Sequence, residues 1–264
     1  MFLTPQVSSW RRALPLLGSL WLACAALAQP AADEKTLPTL HDASATAMGG
    51  PWYLGAGWYR YSEPEMQLQG PMLQLRHTRR INATGWPDLL VADAALASLN
   101  YSSQGTGAMN HLPGLFGRVS ALWRLPTDTT GHWFAGPTLD LDWTDLRGTS
   151  SSGHYGYRRQ GTRIWAELQL TQNAWGNVQI GALWRGRQLS QLTDIPDYTG
   201  ADLVNTQRQG WFAGWDYLFA EDSQLPGWQA SARYTVISNS DKIGRQGWYE
   251  PRNATWQLSL RKPW

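Results

Sequence analysis

A chain of 264 residues with 22 basic and 20 acidic side chains is close to neutral, and its excess resides in Arg11 and Arg12. That balance offers no basic surface for nucleic acid, and a single cysteine excludes a disulfide framework. The chain is rich in Trp (17) and Gly (26) but low in mean hydropathy, which points away from a helical membrane protein.

Arg11 and Arg12 precede an apolar run from Ala13 to Ala28 that closes on Ala26-Leu27-Ala28. This pattern defines a secretory signal peptide over residues 1–28, too short and Pro-interrupted to stay as an anchor. Cys24 falls inside it, so thiol chemistry is not expected of the mature chain. Residues 29–50 lack periodicity and read as a flexible periplasmic lead. One β-barrel domain is expected over residues 51–264.

From there the chain alternates with the period of a strand, in which successive side chains face opposite sides. The first strand, Trp52 to Tyr61, puts Trp52, Leu54, Ala56 and Trp58 on one face, and Ser62-Glu63-Pro64-Glu65 ends it. Strand two, Met72 to Thr78, sets Leu73 and Leu75 outward against Gln74 and Arg76. Strand three, Leu89 to Tyr101, could be a helix on propensity. As a strand it turns Asp93 inward and Leu90, Ala92, Ala94 and Leu96 outward. Strand four, Leu115 to Leu125, alternates Val119, Ala121 and Trp123 with Arg118, Ser120 and Arg124.

Strand five sets Trp133, Ala135, Leu139, Leu141 and Trp143 against Thr138, Asp140, Asp142 and Thr144. At a tilt of ~40° its two terminal tryptophans would stand ~25 Å apart in height, the thickness of a membrane barrel's apolar band. Pro137 in mid-strand predicts a bulge. Strand six, Thr162 to Leu170, turns Arg163, Trp165, Glu167 and Gln169 inward. Strand seven, Asn177 to Arg187, turns Val178, Ile180, Ala182 and Trp184 outward, which leaves Arg185 and Arg187 inward. Strand eight presents Trp211, Ala213, Trp215, Tyr217 and Phe219. Strand nine presents Trp228, Ala230, Ala232, Tyr234 and Val236 against Gln229, Ser231 and Arg233.

The last strand, Asn253 to Trp264, places Trp256, Leu258, Leu260 and Trp264 on one parity and Gln257, Ser259 and Arg261 on the other. It resembles the closing strand of bacterial outer-membrane barrels, which usually ends in an aromatic residue; Lys262 and Pro263 depart from that pattern. The Tyr-Arg-Tyr-Ser-Glu-Pro-Glu-Met run from Tyr59 to Met66, with a following Gly70, resembles the first hairpin of a functionally uncharacterised group of small outer-membrane barrels. That resemblance implies a fold and no reaction. The expected architecture is therefore all-β: an antiparallel, ten-stranded transmembrane barrel of the bacterial outer membrane. Eight and twelve strands are the alternatives. An even count places both strand termini on the periplasmic side. Residues 62–70, 102–114, 146–160, 189–208 and 239–252 then become the longer extracellular loops, and 79–88, 126–132, 171–176 and 220–226 the periplasmic turns.

Catalytic motifs are incomplete. Asn100-Tyr101-Ser102-Ser103 resembles a lipid A deacylase run, but an amide stands where the histidine base belongs. His111 with Ser120 echoes an outer-membrane phospholipase, although one is expected in a loop and the other deep in the barrel. Asp140 and Asp142 resemble half of an omptin protease site, without its Asp-His pair. No enzymatic role, cofactor or metal is expected. The expected partners are outer-membrane lipid and lipopolysaccharide, the barrel assembly machinery and periplasmic chaperones, with no nucleic acid. The candidate site is the lumen near the extracellular mouth: Asp140, Asp142, Arg163, Glu167, Arg185 and Arg187. An arginine excess there would draw anions through a narrow passage. The alternatives are that these charges pair and rigidify a structural or surface-interaction barrel, or that the barrel is an embedded hydrolase.

Overall fold

The computed structural model describes residues 52–64, 66–81, 84–103, 107–126, 132–146, 157–172, 176–192, 202–220, 223–239 and 252–264; the expected signal peptide and lead lie outside them. The described residues form ten strands and no helix: β1 (Tyr53–Ser62), β2 (Met66–Arg80), β3 (Leu89–Ser103), β4 (Gly107–Arg124), β5 (His132–Asp145), β6 (Tyr157–Gln172), β7 (Gly176–Leu192), β8 (Asp202–Leu218), β9 (Gln229–Asn239) and β10 (Arg252–Pro263). Each pairs antiparallel with the next, and β1 closes on β10 from Tyr53↔Pro263 to Ser62↔Ala254. The count is ten. Closure leaves no unpaired strand edge. Just beyond the seam, the Trp264 amide donates to the Trp52 carbonyl at 2.9 Å.

Alternation decides which side chains turn inward. Leu54, Trp58, Leu73, Leu96, Ile180, Trp211 and Leu258 are exposed on the outer face, whereas Arg76, Ser120, Thr138, Glu167, Gln179, Asp216 and Arg261 are buried inside. This inverts the usual soluble pattern of apolar core and polar skin. Trp58, Trp123, Trp184, Trp211, Trp215 and Trp256 stand exposed on the outer wall, while Trp165 is fully buried in the interior against Phe212. The helix-compatible stretch Leu89–Ser103 is a strand, because β2 and β4 pair along both of its edges.

At the end of the barrel away from Tyr53 and Pro263, the wall is taller than expected. β2 begins at Met66 and β4 at Gly107, so two expected loops, 62–70 and 102–114, shrink to short connections between paired strands. Outward residues there turn polar (Gln67, Gln69, Asn100) while Met66, Leu68, Leu99 and Leu112 stay buried with Tyr59 and Tyr61. The apolar-outside pattern ends before the hydrogen-bonded ladder does. The expected loop 189–208 shortens in the same way, since β7 runs on to Leu192 and β8 begins at Asp202, while 146–160 and 239–252 fall largely outside the described residues.

Pro137 does not make a bulge. Its register with β6 runs on through Pro137↔Ala166. Towards β4 the ladder is interrupted between Ser120↔Thr138 and Trp123↔Ala135, with the same register on both sides. The missing proline donor falls in that interruption and needs no extra residue. Register shifts occur instead at Leu99/Tyr101, Ile164/Trp165 and Gln207/Gln209.

Candidate functional site: the charged lumen

Inward parity delivers one charged side chain after another to a confined interior, and they meet in three tiers. Nearest the Tyr53–Pro263 end, Arg76 and Arg261 alternate with Asp93 and Asp216. Arg76 lies 2.9 Å from Asp93 and 2.7 Å from Asp216, and Arg261 lies 3.4 Å and 2.9 Å from the same two carboxylates. Gln179 donates a further bond to Asp216 at 2.6 Å. These groups come from β2, β3, β7, β8 and β10, so the ring of charge spans the lumen rather than lining one wall.

In the middle tier Arg118 meets Glu167 at 2.6 Å and Asp140 at 3.8 Å, and Arg233 reaches Asp140 from β9 at 3.4 Å. Glu167 also accepts from Ser120 at 3.1 Å and from Thr138. The guanidinium of Arg233 sits 3.6 Å over the Phe212 ring and that of Arg118 5.0 Å from it, a cation–π pair that holds both across the interior. The third tier joins Asp142 to Arg163 and, at 3.8 Å, to Arg159. Arg163 Nε donates to Gln207 at 2.7 Å, and Arg159 lies 4.1 Å over Tyr61 of β1. The cavity left among the tiers measures about 90 Å³, bounded by Tyr59, Asp140, Asp142, Arg163 and Arg233 among others. That is room for several waters.

Four of the six expected site residues come together. Asp140 and Glu167 lie in the middle tier, and Asp142 and Arg163 in the third. Arg185 and Arg187 do not: both are exposed on the outer wall. The cause is a β-bulge. Between Ile164↔Arg185 and Trp165↔Leu183 the β7 strand carries one extra residue, and Trp184 and Arg185 both turn outward. Alternation then resumes on the opposite parity, so Gly186, Gln188 and Ser190 occupy the inner face. Alternation placed Arg76, Asp93, Arg118 and Arg233 inside but did not join them. Only the barrel's curvature brings β9 to β5 and β2 to β8. Asp216 was missed although it shares parity with no outward aromatic of β8, a signal that was present. Of the hydrolase candidates, Ser120 is buried beside Glu167, while His111 is exposed, with a backbone φ of 59°, and its ring lies 3.4 Å from Ser98.

No family model and no curated protein matches the chain. Among solved structures, the transport unit of the autotransporter AIDA-I from Escherichia coli aligns over 94% of this chain and 97% of that one, at 11% identity and a TM-score of 0.36.

Proposed function

We propose that this chain is an integral barrel of the bacterial outer membrane, held shut at rest and acting as a membrane-embedded scaffold rather than an open channel. The observation that carries the reading is the inverted wall: exposed Leu, Ile and Trp outside, a paired charge network within. Hydrocarbon is the solvent in which such an exterior is stable, and a closed barrel satisfies every backbone group there. The strand ends near Tyr53 and Pro263 would face the periplasm. Barrel assembly machinery and periplasmic chaperones are the partners such a biogenesis requires. Extraction by detergent but not by salt or carbonate, with slower gel migration after boiling, is the expected result. A protein that is soluble without detergent and shows no such shift refutes the membrane reading.

Closure at rest follows from ion pairs that reach from β2 to β8 and from β9 to β5. A second reading, a narrow anion passage, draws on one feature. Among the described residues, six lumen arginines (Arg76, Arg118, Arg159, Arg163, Arg233, Arg261) face five carboxylates (Asp93, Asp140, Asp142, Glu167, Asp216), and Arg233 Nη1 has no hydrogen-bond partner there. Conductance across a planar bilayer separates the two: a silent membrane supports the scaffold, and steady anion-selective openings support the passage.

A further inference from the structure

The bulge that removes Arg185 and Arg187 from the lumen builds a different feature on the outside. β8 carries its own register shift, between Gln207↔Asn239 and Gln209↔Ser238, which leaves Arg208 as the extra residue. Arg208 and Gln209 are both exposed while Gln207 is fully buried inside. The β7–β8 ladder runs in one register through Ala182↔Trp211 and Gly186↔Gln207, which sets Arg185 across from Arg208. Arg187 follows one pleat further along, opposite Thr162 on β6 and Thr206 on β8, and both threonines are exposed. Three guanidinia thus share one patch of outer wall.

Nothing among the described residues neutralises the patch. None of the three arginines makes an ion pair with a described carboxylate. Asp145, an outward carboxylate of β5, is engaged by Arg158 at 3.6 Å. Directly beneath stand Trp184, 75% exposed, and Trp211, with Ile180 and Val178 further down the same wall. Tryptophan marks the edge of an apolar band, so cations one step beyond it lie at headgroup depth. Like charges are not gathered there without a counter-charge.

We infer that Arg185, Arg187 and Arg208 form an external site for the phosphate groups of an outer-leaflet glycolipid of the lipid A type. The inference rests on the membrane reading above and on the far end of the barrel facing outward. Guanidinium forks fit phosphate oxygens bidentately, and three of them match the clustered charge of a bisphosphorylated sugar headgroup, with Trp184 and Trp211 against the acyl chains beneath.

The test uses the full-length chain purified in detergent, supplied with bisphosphorylated lipid A, and native mass spectrometry to count retained lipid. Wild type should keep one lipid A through detergent exchange, and the Arg185→Ala, Arg187→Ala, Arg208→Ala triple variant should hold it at least about tenfold more weakly, the loss of one strong charge-assisted contact or more. Removing both phosphates from the lipid should cost wild type as much and the variant nothing. Arg79→Ala with Arg80→Ala, at the opposite end of the barrel, should bind as wild type does. Equal retention by wild type and the triple variant, with both heat-modifiable and detergent-dependent, overturns the site while the membrane reading stands. A protein that needs no detergent overturns both.

Discussion

Arg76 on β2 and Asp216 on β8 lie 2.7 Å apart although three strands of wall, β1, β10 and β9, stand between them by the shorter way round the barrel and five by the longer. Both are buried, and Arg261 contacts the same carboxylate from β10 at 2.9 Å. The pair is a strut across the lumen.

Removing its anion should be costly. Asp216→Ala leaves Arg76 and Arg261 facing each other with Asp93 as their one remaining shared counter-ion. Loss of one partner from a buried pair costs roughly 3–5 kcal/mol. The midpoint for loss of the compact, fast-migrating form in urea should fall accordingly, and Asp216→Asn should recover only part of it because the amide keeps shape but not charge. An unchanged midpoint for Asp216→Ala would show that water in the lumen screens the pair.

The middle tier depends on a residue that has no side chain. Gly181 lies opposite Phe212 in the β7–β8 register, and the ring occupies the space a Cβ would need. An aromatic side chain laid over a cross-strand glycine shields its backbone and fixes the ring. Here the ring then seats Arg233 and Arg118. Gly181→Val should displace Phe212 and destabilise the barrel by about 1–3 kcal/mol, the usual cost of overpacking. The paired variant Gly181→Val, Phe212→Ala should recover thermal stability relative to Gly181→Val alone if the clash is the cause.

The β7 bulge predicts a reversed labelling pattern. Cys24, the native cysteine, lies in the segment expected to be removed, so single cysteines can be introduced one at a time. Arg187→Cys should react with a bulky, membrane-impermeant maleimide, and Gln188→Cys should not, since Gln188 is buried inside. Uninterrupted alternation from Val178 would give the opposite result.

What the sequence made legible follows from the same physics. Period-two alternation assigns a face to each residue wherever one face is apolar, which is why Trp133, Leu139 and Trp143 oriented β5 correctly and carried Asp140 and Asp142 inward. It fails in two circumstances. Beyond the apolar band the outer face turns polar while Met66, Leu68 and Leu112 point inward, so the apolar-outside alternation is lost and Met66 to Gly70 and Gly107 to Gly114 looked like loop. At a bulge the parity changes with no change in composition: Trp-Arg-Gly-Arg reads as alternating until the pairing of Ile164 and Trp165 is known. The inner residues of the site were therefore visible strand by strand, but their partners were not, because an ion pair such as Arg233–Asp140 joins positions 93 residues apart through curvature alone.

The most direct test of a lumen closed by charge is conductance of the purified, heat-modifiable protein in a planar bilayer, measured beside the Arg118→Ala, Arg233→Ala variant. Both arginines meet Asp140, and together they hold the middle tier across the interior. Wild type should leave the membrane silent at neutral pH, and the variant should show discrete openings as the middle tier comes apart. Steady, ohmic openings from the wild-type barrel, unchanged in the variant, would contradict the account.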